Sequence, residues 1–300
     1  NNDTVASAFT GSVVYNIKNA DGSLSEIPAR PAAGDYVITM SGLENKGAKN
    51  YDPIVFVDGS LHVDKRDVIV VVDEGQKKVY GEADPALTWT ATGDGAYYVS
   101  EDAGDLANLK VVRPDAGTDA GEDVGKHPMI IEGDDANFNI TRVNNTFEIT
   151  PATLNVTLAP QSKIYGDENP VLSGDDLIFD GFVVKPVKGN TTPDDAGVLS
   201  IANLTFNFTD AEGAPATVAS HAGTGKVVPA NVENAAANNY TFVYAPVDFV
   251  IDKRPITVTA KPQTSIYGDD VAVEDWSDYG TVNVLEYTGD TAKAALVNGD

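Results

Sequence analysis

The sequence predicts a mainly β chain: a tandem array of small β-sandwich-like or β-grasp-like modules, each with at most one short helical turn. Three observations carry this. First, one phrase recurs, as KKVYGEADP at residues 77–85, SKIYGDENP at 162–170 and TSIYGDD at 264–270. Each copy follows a β-like run, at residues 68–72, 154–158 and 256–258. A phrase repeated with its surroundings marks a repeated folding unit. Second, Val, Ile, Thr, Tyr and Phe alternate with polar residues, and Gly, Asn, Asp and Pro punctuate them, which is the pattern of short strands. Third, helical character is confined to single turns, at 102–109, 193–199 and 288–296, below the usual helix length of about 11 residues.

The rest of the unit repeats as well. Asn16-Ile17-Lys18-Asn19-Ala20-Asp21-Gly22 resembles Asn207-Phe208-Thr209-Asp210-Ala211-Glu212-Gly213, a strand entering an Asp- and Gly-rich turn. A glycine-led strand follows, aligned as Gly34-Asp35-Tyr36, Gly125-Lys126-His127 and Gly225-Lys226-Val227. An Asn-aromatic pair then opens another strand, at Asn50-Tyr51, Asn137-Phe138 and Asn239-Tyr240. The closing strand reads Leu61-His62-Val63, Phe147-Glu148-Ile149 and Phe249-Val250-Ile251, with alternating polarity.

These landmarks divide the chain into the second half of a module (1–64), complete modules at 65–150 and 151–252, and the first half of another (253–300). A half-module exposes strand edges. One reading makes the chain a portion of a longer repeat array. The other joins residues 253–300 of one copy to residues 1–64 of the next, giving a head-to-tail filament.

Within the phrase, Tyr80, Tyr165 and Tyr267 are expected to lay a ring over the core with the hydroxyl at its rim. Gly81, Gly166 and Gly268 supply a backbone conformation that other residues avoid. Glu82, Asp167 and Asp269 can accept from turn amides, and Pro85 and Pro170 stiffen the exit. The phrase therefore reads as a turn anchor. The competing reading makes tyrosine and acid a sugar-binding pair.

With its V/I-x-V run, the I/V-Y-G-D/E-x-D/N-P phrase, the Asn-aromatic strand and the I-D-K-R junction, the unit resembles the YGX-type MBG modules of large bacterial surface proteins. The resemblance implies an extracellular, cell-surface location and a spacer or adhesive role in an adhesin or stalk. It supplies no catalytic residue.

Composition narrows the partners. Forty-five acidic residues against 20 Lys and Arg leave a net charge of −25. That argues against a nucleic-acid backbone, which needs a basic surface. No aliphatic run is long enough to span a bilayer, so no membrane insertion by this segment is expected. There is no cysteine, which excludes disulfides and thiol chemistry. Three dispersed histidines, His62, His127 and His221, lack metal-ligand spacing. The acidic loop 115–123 offers Asp115, Asp119, Glu122 and Asp123 as Ca²⁺ ligands, without the regular ligand spacing of an EF-hand. No cofactor and no enzymatic activity are expected. The expected partners are neighbouring modules of the same or a like chain, with surface glycans or proteins as further candidates.

Overall fold

The structure, a computed structural model, describes residues 8–19, 21–46, 53–96, 106–255 and 266–268. The chain divides into two compact units. One comprises Asn1–Lys78 and Ala83–Ile149, the other Val79–Glu82 and Thr150–Asp300. The described residues are mainly β, with 3-10 turns at Ala120–Glu122, Gly174–Asp176 and Ala196–Val198. The last falls inside the helical turn expected at 193–199. The Asn50-Tyr51 pair, the run at 256–258, the turn at 288–296 and Asp269 lie outside the described residues.

The first unit begins with β1 (Phe9–Lys18), β2 (Leu24–Glu26), β3 (Gly34–Asn45) and β4 (Gly59–Val63), which form one sheet in the order β2-β1-β3-β4. Then follow β5 (Arg66–Val72), β6 (Lys77–Val79), β7 (Trp89–Thr92), β8 (Lys110–Val112), β9 (Gly125–Glu132), β10 (Phe138–Val143) and β11 (Asn145–Thr150). They form a three-stranded sheet, β10-β5-β7, and a four-stranded one, β6-β11-β9-β8. Alternation along β5 buries Val68, Val70 and Val72, and β9 and β11 bury Met129, Ile131, Phe147 and Ile149. Period-two patterning thus turns one face of each strand into the core.

The second unit repeats this plan. Its strands are β12 (Ala152–Leu158), β13 (Gln161–Ile164), β14 (Leu177–Asp180), β15 (Leu199–Ser200), β16 (Thr205–Thr209), β17 (Gly223–Ala230), β18 (Glu233–Asn234), β19 (Tyr240–Tyr244) and β20 (Val247–Asp252). The sheets β14-β12-β19 and β13-β20-β17-β16 match their counterparts strand for strand, and β15 and β18 add a small ribbon. Phe138 pairs with Arg66 as Tyr240 pairs with Ala152, both in parallel ladders. Phe249 and Ile251 anchor a core with Leu158 and Val227, against which Tyr165, Leu172 and Phe208 pack.

Register decides which residues are equivalent. Val63 faces Gly34, Ile149 faces Gly125 and Ile251 faces Gly223. The closing strands therefore align as their sequences suggested. Ile17 lies opposite Ile38 as Phe208 lies opposite Val227, so the Asn16 and Asn207 segments align too. One alignment must be corrected: the counterpart of Gly125 is Gly223, two residues before Gly225. Gly225 takes the place of His127, and a Cβ there would come within 1.9 Å of the Thr209 carbonyl oxygen.

In the sheet of β1–β4, Leu61 and Val63 occupy the places of Phe147 and Ile149 but are only half-buried, whereas Phe147, Ile149, Phe249 and Ile251 are at most 2% exposed. Phe249→Ala should therefore cost its unit about 3–5 kcal/mol, while Leu61→Ala should cost less than about 2 kcal/mol. Denaturant unfolding of the two variants measures the contrast.

Candidate functional site: the Tyr-Gly-acid turns and their buried lysines

In both complete modules the strand before the phrase runs beside the closing strand. There the tyrosine N–H donates to the last carbonyl of that strand: Tyr80 to Thr150 and Tyr165 to Asp252, each at 2.8 Å. The chain then turns at Gly81 (φ +88°) and Gly166 (φ +87°), and Gly268 (φ +100°) takes the same left-handed conformation. Glycine adopts it without steric cost. At Gly81 there is a second reason, since a Cβ would lie 2.4 Å from Val183 Cγ2. The acid that follows has two partners in two copies. Glu82 accepts the Val79 N–H at 3.0 Å. Asp167 instead pairs with the Arg254 guanidinium, whose Nε donates to the Tyr165 carbonyl at 2.7 Å. Pro85 is exposed and Pro170 half-buried.

Tyr80 is packed in the second unit and is 2% exposed. Its hydroxyl donates to Asp194 Oδ2 at 2.7 Å, and the Tyr240 hydroxyl donates to the same oxygen at 2.8 Å. The two rings meet edge to face at 5.5 Å. Burial pushes the Tyr240 phenol far above its usual value, and the neighbouring Asp194 adds to the shift. A ring covered in this way cannot stack on a sugar. Tyr165 lies half-buried on its own core, stacked with His221 at 6.4 Å.

The centre of each turn is a lysine two residues before the tyrosine. Lys78 contacts Asp84 Oδ1 at 2.7 Å and the Glu122 carboxylate. The Arg113 fork grips both oxygens of Asp84 at 3.0 Å and also pairs with Glu122. Its guanidinium lies 5.3 Å over the Phe147 ring. The Lys78, Arg113 and Glu122 side chains are at most 3% exposed. Asp84 and Glu122 answer the two cations, and Asp115, held on His127, lies 3.6 Å from Arg113 as a further carboxylate; such pairing is the condition on which buried charges are tolerated. Burial pushes the Asp84 carboxyl up, but Arg113 and Lys78 outweigh it and hold the group below its usual range.

The second module keeps the lysine but receives it on neutral groups. Lys163 Nζ donates to Asn169 Oδ1 at 2.9 Å and to the Thr217 carbonyl at 2.6 Å, and Asn169 is itself fixed on the Ala216 carbonyl at 2.9 Å. Phe208 stands where Arg113 stands and packs on Phe249 at 4.9 Å. Ser220 stands three residues before Gly223, as Glu122 stands three before Gly125, and its hydroxyl donates to Asp210 Oδ2 at 3.0 Å. Burial pulls the Lys163 ammonium below its usual range, against the opposing pull of Glu168 and Asp167.

The acidic loop does not gather its carboxylates for a cation. Glu122 faces Lys78 and Arg113. Asp115 Oδ2 lies 2.7 Å from His127 Nδ1, and the Asp123 carbonyl lies 2.8 Å from His127 Nε2. Asp119 precedes the 3-10 turn without a side-chain capping bond. Among the described residues no group of three or more His, Cys, Asp or Glu side chains converges to hold a metal ion. Of Asp115, Asp119, Glu122 and Asp123, the structure brings Glu122 to Lys78 and Arg113 and Asp115 to Arg113 and His127.

His62 is exposed on β4. Its Nδ1 lies 2.5 Å from Asp35 and its Nε2 3.1 Å from Asp64. The Asp35 contact, with Asp64 assisting, raises its pKa above 6.5. A raised folded-state value stabilises fully below 6.5 and loses that contribution as pH rises through the folded value. An NMR titration should find His62 above 6.5, and Asp35→Asn should bring it down.

Glu122→Ser alone leaves the buried Lys78 with Asp84 as its carboxylate, shared with Arg113, and should destabilise the module by about 3–5 kcal/mol. Adding Arg113→Leu, which removes the second buried cation, should recover part of that loss in chemical denaturation.

Among known proteins, residues 68–148 match the family model of the MBG domain (YGX type). No curated protein matches the chain. Its likeness to solved structures is slight. Sidekick-1 immunoglobulin domains 1–5 align at 12% identity and TM-score 0.19, over 84% of this chain and 55% of that one. The Bacteroides ovatus mixed-linkage glucan utilization locus protein SGBP-B, in complex with a mixed-linkage heptasaccharide, aligns at 12% and 0.15, over 87% and 65%. The Bacillus anthracis TIE protein aligns at 8% and 0.16, over 81% and 51%. The chain thus spans between about half and two thirds of each of those structures. Residues 68–148, which hold the Tyr-Gly-Glu turn and its buried lysine, are thus similar to an MBG domain of the YGX type.

Proposed function

We propose that this chain is a non-enzymatic extracellular repeat segment of a bacterial surface adhesin or stalk, which projects or presents binding surfaces. The observation that carries this reading is the inward use of the repeated phrase. Its tyrosine, glycine, acid and lysine hold modules of one topology together, so what repeats is a fold requirement. Repeated modules of this kind serve reach and multivalent weak contact. The net charge of −25 keeps such a surface soluble and unattractive to nucleic acid. Partners are then neighbouring modules and surface glycans or proteins that meet the outer faces of the strands. The sugar-binding reading of the tyrosines is the weaker one, since Tyr80 is covered.

An antibody raised against the chain should label intact source cells, and brief protease treatment of those cells should remove the signal. Labelling that appears only after lysis would sink the surface reading.

A further inference from the structure

Between β14 and the 3-10 turn at Ala196–Val198 runs a long segment, and no residue from 181 to 195 is buried. A segment without a core of its own is held by what it closes over. It leaves β14 at Gly181, where a Cβ would lie 2.7 Å from the Thr153 carbonyl oxygen. Its two arms then meet. Val184 and Pro193 form an antiparallel bridge, and the Asp194 N–H donates to the Val183 carbonyl at 2.9 Å. Local bonds shape the tip: the Asn190 amide donates to the Lys185 carbonyl, and the Thr192 N–H to Asn190 Oδ1, each at 3.1 Å.

The arms close over a tyrosine that lies far away along the chain. Val79–Glu82 packs with the second unit, while Lys78 and Asp84 of the same phrase belong to the first. Each arm ends on a phenol. Asp194, from one arm, takes both the Tyr80 and the Tyr240 hydroxyls on one oxygen. Val183, from the other, donates its N–H to the Tyr240 hydroxyl at 3.2 Å and lies against Gly81. Tyr80 is 2% exposed and Tyr240 3%, so the two rings are the buried surface on which the arms rest.

We propose that residues 181–195 form a strap around a phenol site, and that the strap closes only when the site is filled, here by Tyr80. The chemistry of the site selects its occupant. An apolar ring fills the space beside Tyr240 but leaves Asp194 one donor short. A side chain after the ring meets Val183, so glycine must follow. A phenol followed by glycine is what the phrase supplies. Tyrosine and glycine thus order a segment in the second unit, while the lysine of the same phrase serves the first. The strap works in this way whether or not the chain stands on a cell surface.

Tyr80→Ala in the full chain vacates the site. Amide exchange read by mass spectrometry should rise by about tenfold or more at 181–195, with β5 and β9 unchanged. Adding p-cresol, the tyrosine side chain as a free phenol, should slow that exchange again, and toluene should not. Unchanged exchange in the variant, or exchange that p-cresol fails to slow or that toluene slows equally, would overturn the proposal. Should Tyr80→Ala also expose β12 and β20, Tyr80→Phe decides. Faster exchange at 181–195 beside protected β12 and β20 is expected, and exchange as in the wild type would overturn the strap.

Discussion

Everything around the Tyr-Gly turn depends on one constraint: a lysine ammonium is buried two residues before the tyrosine and must be received. Removing a charge from water is tolerated only where partners replace the lost hydration. The first module answers with carboxylates. Asp84 and Glu122 take Lys78, and because two anions would overcompensate one cation, Arg113 enters as the fourth member. This ties three separated stretches together: the phrase exit at Asp84, the end of β8 at Arg113, and the acidic loop at Glu122. The second module answers with neutral dipoles. The Thr217 carbonyl and the Asn169 amide receive Lys163, and Phe208 fills the space of the arginine with apolar surface. Both arrangements hold the same turn against the same closing strand.

The turn itself follows from close approach. Glycine is needed at Gly81 both for its left-handed backbone and because Val183 would collide with a side chain. The tyrosine before it buries its ring and keeps its hydroxyl satisfied on Asp194, which also takes the Tyr240 hydroxyl. Two donors on one carboxylate oxygen, in partly buried surroundings, form a high-stakes polar junction, and such junctions favour one arrangement over its neighbours. The inward charges are few.

Much of this was legible in the sequence. The period-two alternation placed the closing strands correctly, and the Asn16 and Asn207 segments align in register as their residues suggested. The Gly225 alignment failed for a physical reason. A strand's side chains repeat every two residues, so a shift of two keeps every apolar residue on its proper face, and pattern alone cannot detect it. Only pairing with Ile251 shows that Gly223 is the counterpart of Gly125. Glu122 was read as a possible cation ligand because the acidic loop is dense in oxygen, while its true partners, Lys78 and Arg113, lie 44 and 9 residues away. A signal for Lys78 and Asp84 did exist. Lysine two before the tyrosine and Asp or Asn four after it occur together in two phrases, and both are missing from the third.

That joint presence and absence says how first halves and second halves of these modules recognise each other. Each phrase and its socket form a matched set: Lys78 and Asp84 with Arg113 and Glu122, then Lys163 and Asn169 with the Thr217 carbonyl and Phe208. Exchanging the phrases would not be neutral. The phrase of the second module, placed over Arg113 and Glu122, would bring an amide where the arginine fork expects a carboxylate. The phrase of the first, placed over the Thr217 carbonyl and Phe208, would set Asp84 beside an aromatic edge with no arginine to hold it. Discrimination of this kind arises more from penalties against the wrong partner than from added attraction to the right one. Strands of nearly identical alternation, which their pleats alone could not tell apart, are thereby sorted by the charges they bury.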